Sequence, residues 1–580
     1  MSKNKQTGSK ATPSQAKPSQ AKPSQAAIIS PDNSAAKPFP KTFNESAFVA
    51  QQHQAANKTA SPRVCATKTT FATVLMFVMG SAAQGQTAQP QGEALAPVQT
   101  HWRATAETLT LPGGEKMGLL GGNVLFDVAE HLRLGVASYG ALSGQRGGFI
   151  TLGVAGEAHR RLSDAWGARA GLFVGAGGGR GGNTLAGGGL MLRGDVGLTY
   201  DLGGFGALGF GVSHVRFPSG VINSTQPYLQ YDYSFYSLLG PGWQGAAAPR
   251  EQAGGSARKA ALPTHRSEFS LAARSLRIPA SALRVDGLPQ HPSMQLLGVE
   301  WLTQLDERWF LKLESEGAMG GQSNGYMQIL AGGGYRWPLS ASTAIKLQAA
   351  GGPAGGGGVD TGGGLLLDAG VTLQHAFTPH LALEAGVGAM RAPSGNFQAQ
   401  YVGVKLNYLF DLPSVTSRPV APSELASLDA AKLRVRLATQ TYFQAAPQWR
   451  TFSADQSVSN LGVQLDYFPS PSWYLTGQGL AAFAGDAGAY MTGQVGAGLH
   501  RPLGERWFVE AEALLGAAGG GGLAVGGGLV GQGNVALGYK LSKSMAVMGT
   551  LGRIQSFGGD FKANVAGLSL AYQFTGFTAP

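Results

Sequence analysis

Tyr228-Leu-Gln-Tyr-Asp-Tyr-Ser-Phe235, Val404-Lys-Leu-Asn-Tyr-Leu-Phe410 and Leu568-Ser-Leu-Ala-Tyr-Gln-Phe574 are three versions of one segment. In each, an apolar or aromatic residue occupies every second position and the series closes on Phe. Side chains alternate across a strand, so such a segment has one continuous apolar face. A strand with that face in lipid and its other face in a polar interior has this pattern.

The segments end three longer repeats, at about 101–236, 265–411 and 430–575. Gly187-Gly-Gly-Leu-Met-Leu, Gly362-Gly-Gly-Leu-Leu-Leu and Gly526-Gly-Gly-Leu-Val-Gly mark one shared position. Arg160-Arg-Leu-Ser-Asp-Ala-Trp166, Arg336-Trp-Pro-Leu-Ser340 and Arg501-Pro-Leu-Gly-Glu-Arg-Trp507 mark a second. The third repeat divides into strands near 431–442, 460–468, 473–482, 488–500, 506–516, 525–539, 544–553 and 561–574, and the others divide alike. Each is about the length that a tilted strand needs to cross a bilayer. Charges keep to one face: Arg434 and Arg436 oppose Leu433, Val435 and Leu437, while Glu510 and Glu512 share a face. Glu268 and Arg274 share a face of their strand, and Arg193, Asp195 and Thr199 oppose Leu192, Val196 and Leu198.

The closing segments resemble the last strand of Gram-negative outer-membrane β-barrels, and residues 100–575 are similar to the small eight-stranded members of that class. The resemblance implies integral residence in the outer membrane, outer-membrane lipids and lipopolysaccharide as neighbours, and the outer-membrane assembly machinery as a partner. With both ends of each repeat periplasmic, the even-numbered connections are periplasmic turns, such as Thr303-Gln-Leu-Asp-Glu-Arg308, Phe468-Pro-Ser-Pro-Ser472 and Leu541-Ser-Lys-Ser544. Trp309, Trp473 and Trp507 follow such turns, as an aromatic girdle would.

The expected fold is all-β, three tandem eight-stranded antiparallel barrels; one 24-stranded barrel is the alternative. The long segments 243–264 and 412–429 read as domain linkers and favour three. A narrow barrel fills with side chains, so its buried charges must pair, Arg434 and Arg436 with Glu510 and Glu512. The matching functional classes are a structural or interaction protein with plugged barrels, or a diffusion pore if the barrel is single and wide.

Ahead of the repeats, Phe71-Ala-Thr-Val-Leu-Met-Phe-Val-Met-Gly80 follows Arg63 and Lys68 and precedes Ala82-Ala-Gln-Gly85. This reads as a signal peptide cleaved near Gly85. Lys17-Pro-Ser-Gln20 and Lys22-Pro-Ser-Gln25 before it belong to a Pro-, Ser- and Gln-rich stretch expected to be disordered. Either the signal is extended or translation starts near Val64. The expected plan is a disordered extension at 1–62, signal peptide at 63–85, linker at 86–100, barrel repeats at 101–242, 265–411 and 430–580, and the two linkers between them.

Residues 1–68 hold ten Lys or Arg against two acids, so +8 of the net +11 belongs to the leader. The body is nearly balanced, which removes the case for nucleic acid. The single cysteine, Cys65, precedes the apolar run, so the mature chain is expected to lack thiol chemistry.

Gly175-Ala-Gly-Gly-Gly-Arg-Gly-Gly182 lacks the Lys-Ser/Thr pair and following helix of a phosphate loop and reads as a flexible hairpin. Ser213-His-Val-Arg-Phe-Pro-Ser-Gly220 resembles in position the His-and-Ser site of the lipid A 3-O-deacylase barrels. Arg216, however, stands two residues after His214 where those enzymes place Ser, and Asp232 is the only acid in the next strand. His375 and His380 flank a turn and read as interfacial. No catalytic, cofactor-binding or metal-binding residue is assigned.

Overall fold

The computed structural model describes residues 94–243 and 260–580. The readings of residues 1–62 and 63–85, most of the 86–100 linker and the interior of the 243–264 linker lie outside those residues. The described residues form three closed antiparallel barrels of eight strands each. Barrel 1 is β1 Val98–Thr110, β2 Lys116–Ala129, β3 Leu132–Ser143, β4 Ile150–Arg161, β5 Trp166–Gly178, β6 Leu190–Asp201, β7 Ala207–Arg216 and β8 Asn223–Ser237. A short strand, β9 Leu239–Pro241, follows. Barrel 2 is β10 Thr264–Arg277, β11 Ser293–Gln304, β12 Trp309–Gly320, β13 Met327–Pro338, β14 Thr343–Gly355, β15 Leu365–Thr378, β16 Leu381–Arg391 and β17 Gln398–Pro413. Barrel 3 is β18 Asp429–Gln444, β19 Val458–Ser470, β20 Trp473–Ala484, β21 Met491–Pro502, β22 Trp507–Gly519, β23 Leu529–Lys540, β24 Met545–Ser556 and β25 Lys562–Thr578.

First and last strands pair within each barrel. Trp102 lies opposite Tyr233, Phe269 opposite Tyr408, and Leu433 opposite Phe574. Three closures, not one 24-stranded ring, follow from these registers. Helix is limited to short turns, and no described helix is long and apolar enough to cross a membrane.

Alternation sets the faces as read from the sequence. On β25, Leu568 is 71% exposed and outward, while Ala571 and Gln573 are buried inside. On β6, Val196 and Leu198 face out, and Arg193 and Asp195 face in. The outward apolar run on the last strand occupies the same stretch in every barrel: Pro227 to Phe235, Val402 to Phe410, and Ala566 to Phe574. At about 3.3 Å per residue and a tilt of about 40°, this makes a band roughly 20 Å tall.

The end of each barrel that carries its termini is called the base, and the other the top. Base turns present tryptophans. Asp306 accepts hydrogen bonds from the backbone N–H groups of Arg308 and Trp309, each at 2.7 Å. Those donors hold its carboxyl below the ordinary range and fix the turn that starts β12 at Trp309. Trp309, Trp473 and Trp507 are all exposed at the first residue of their strands. Trp309 packs edge-on against Tyr335, and Trp507 against Tyr539.

The connectors gather beneath the barrels. Leu95, Leu238, Leu262, Val420 and Leu428 form a small apolar cluster with Phe577 packed on it, and Leu95 pairs with Val420 across two backbone hydrogen bonds.

Candidate functional site: sealed interiors and glycine junctions

Each interior has two layers, ionic toward the base and apolar toward the top. On β1 the inward residues run His101, Arg103, Thr105, Glu107 and then Leu109. Arg103 bridges Glu157 at 2.5 Å and Asp232 at 2.6 Å. His101 stands between Asp127 and Asp232, at 3.1 and 3.0 Å. Arg193 joins Glu107 to Asp195. In barrel 2, Arg274 reaches Glu314, Glu316 and Asp368, while Lys346 spans Glu268 and Glu384 at 2.8 and 2.9 Å. In barrel 3, Arg434 forks onto Glu510 at 2.7 and 2.9 Å, and Arg436 meets Glu512 at 2.9 Å. These are the partners that the facing strands imply. Asp466, not foreseen, sits between the two arginines.

Toward the top each barrel is corked with apolar side chains. Barrel 1 has Leu109, Met117, Phe149, Phe173 and Phe217; barrel 2 has Leu276, Met294, Tyr326, Leu366 and Phe397; barrel 3 has Tyr442, Trp449, Tyr490, Ile554 and Phe561. Inward glycines make room for inward rings. A Cβ on Gly498 would lie 2.2 Å from the Tyr474 ring, and one on Gly538 2.1 Å from the Phe508 ring. The interior wall of barrel 2 beside Arg274, Glu384 and Lys405 leaves a cavity of about 10 Å³, space for one water and not for a solute.

The base of barrel 3 has a stopper from barrel 1. β9 pairs with the stretch of β25 that runs past the start of β24, with Gly240 opposite Thr575. Trp243 then packs on Phe468 and His500, and its indole N–H donates to the Leu433 carbonyl at 2.9 Å. In the sequence Trp243 stands at the start of a linker, and nothing around it marks this role.

At the top, the hairpin between the third and fourth strands of each barrel packs on the loop between the fifth and sixth strands of another. Barrel 1 meets barrel 2 in this way, barrel 2 meets barrel 3, and barrel 3 meets barrel 1. Equivalent hydrogen bonds end on the first glycine of each triplet: Gly147 N–H to Gly362 O at 2.9 Å, Asn324 Nδ2 to Gly526 O at 2.7 Å, and Gly488 N–H to Gly187 O at 3.0 Å. The third glycines, Gly189, Gly364 and Gly528, have φ of +101°, +107° and +104°. A Cβ there would lie 2.1, 2.2 and 2.1 Å from the carbonyls of Ala482, Ala141 and Ala318 on the neighbouring barrel. Glycine is required twice over, by backbone conformation and by close approach.

His214 and Asp232 lie on opposite sides of the barrel wall. His214 is exposed and bonds Thr225 at 2.8 Å, while Asp232 is buried with Arg103 and His101. Ser213 faces inward and donates to Glu107. The three do not form a catalytic set. His375 and His380 lie near the base, bonded to Thr343 and the Leu409 carbonyl. Among the described residues, no group of three or more His, Cys, Asp or Glu could hold a metal ion.

No protein-family model and no curated protein matches the sequence. Among solved structures, the chain is similar to the siderophore receptor PirA from Pseudomonas aeruginosa, with 10% identity over 83% of this chain and 81% of that one, at a TM-score of 0.24. It is similar to OpdQ from Pseudomonas aeruginosa, with 10% identity over 83% and 98% and a TM-score of 0.18. It is also similar to the NanC porin, with 8% identity over 52% and 98% and a TM-score of 0.15. TM-scores of this size establish no shared overall architecture.

Proposed function

We propose that this chain is an integral outer-membrane protein of a Gram-negative cell, with a structural or interaction role carried by three sealed barrels. One observation carries the reading: an outward apolar band, bounded at the base by tryptophans, encloses an interior of buried ion pairs. A water-soluble barrel has no use for Leu568, Val196 and Leu551 at 60–71% exposure around a charged core. Outer-membrane lipids and lipopolysaccharide cover the bands. The outer-membrane assembly machinery receives the closing strands. The corks and ionic layers argue against diffusion through any barrel.

The test is to express the full chain in Gram-negative cells, separate the membranes, and reconstitute the purified protein in planar bilayers. The expected result is recovery with outer membranes, faster gel migration before heating than after, and no stepwise conductance. Recovery as a soluble protein would overturn the membrane reading. Stable unitary currents would overturn the sealed one.

A further inference from the structure

Above each apolar band, the outward face of the seventh and eighth strands changes chemistry. Arg216 lies opposite Asn223, Arg391 opposite Gln398, and Arg553 opposite Asn564. All six are exposed. The outward positions of the last two strands and the first strand hold no carboxylate at this level. Among the described residues, no carboxylate pairs with Arg216, Arg391 or Arg553, whereas Arg103, Arg274 and Arg434 inside are all matched. A second cation stands close by in two barrels: Arg277 opposite Gln400, and Lys562 opposite Gln555. Arg391 and Arg277 flank β17 two residues out of level, so their backbones are about 12 Å apart at an inter-strand spacing of about 4.8 Å and a rise of about 3.3 Å per residue.

An unpaired arginine pointing out of a barrel, just above its lipid-facing band, meets the headgroup layer. Guanidinium groups bind phosphate oxygens in a fork geometry, and a neighbouring amide donates to and accepts from sugar hydroxyls. We infer that Arg216, Arg391 and Arg553, each with its facing amide, form a lipid-binding belt for the phosphorylated glycolipid of the outer leaflet. Ordinary phospholipid offers the phosphate without the sugar. This inference rests on the membrane reading above and on the top being the outer side.

The test uses the full chain in lipid nanodiscs, with purified lipid A, dephosphorylated lipid A and phosphatidylglycerol as probes and native mass spectrometry as the readout. The wild type is expected to bind lipid A at least tenfold more tightly than either other lipid. The R216Q/R391Q/R553Q variant is expected to lose at least tenfold in lipid A affinity while keeping its unheated gel migration. Should that variant misfold, R391Q alone is expected to lose about threefold. Variants that fold and bind lipid A within error of the wild type overturn the inference, as does equal wild-type binding of phosphatidylglycerol. Failure of the wild type to enter membranes refutes the membrane reading instead.

Discussion

Barrel 2 holds its ionic layer with Arg274, Lys312, Lys346 and Lys405, and barrel 3 with Arg434 and Arg436. The lysines act as point charges shared among carboxylates: Glu384 touches both Lys346 and Lys405, and Glu300 both Lys312 and Lys405. Barrel 3 concentrates its contacts in two planar forks and adds a tier of amides, in which Gln440, Gln478 and Gln532 bond in a ring and Gln478 also donates to Gln494. The same eight-stranded cross-section is filled either by redundant ammonium contacts or by few, directional guanidinium ones. What the narrow barrel demands is paired charge in a fixed volume, and the two barrels meet it with different cations.

The sharpest break is Arg434→Ala. It removes the only guanidinium on Glu510, leaving that carboxylate to His500 and Tyr474, and leaves Asp466 to Arg436 alone; the expected cost is about 3–5 kcal/mol. Denaturant unfolding in detergent measures it, and a cost below about 1 kcal/mol would refute the dependence on forks. Lys346→Ala should cost less, about 2–3 kcal/mol, because Glu384 keeps Lys405 and Glu268 keeps Gln374. Equal losses in the two variants would erase the distinction between redundant and directional layers. Arg434→Lys retains charge but loses the two-pronged contact with Glu510. It should cost about 1–3 kcal/mol, close to the value of charged hydrogen bonds. Gln478→Leu should have the smallest effect, about 1–2 kcal/mol, by leaving the amides of Gln440 and Gln494 short of partners.

Strand positions, faces and closure were legible because two-residue alternation survives wherever charge faces apolar side chains. Lys432 to Leu437 and Phe508 to Ala513 are such stretches, and their ion pairs follow from them. The corks were not legible. At Leu119 and Leu120 both faces of β2 are apolar, so the alternation that locates an interior vanishes there. The glycine triplets were visible as repeats, but their neighbours are not local. Gly364 meets Ala141, and Gly189 meets Ala482, contacts that no nearby sequence announces. The Gly175–Gly182 stretch, read as a flexible hairpin, holds Gly178, whose added Cβ would lie 2.8 Å from the Ala489 backbone of barrel 3. Trp243 was hidden for the same reason.

The top junctions have a consequence for stoichiometry. Each barrel offers one hairpin and accepts one on its glycine loop, so three barrels in one chain leave no offer unmet. A shortened chain of two barrels would carry one spare donor and one spare acceptor on the same molecule. Heterologous contacts of that kind join copy to copy without end unless their angle closes a ring. Covalent linkage in threes therefore acts as a count: each of the three junctions is satisfied within one molecule.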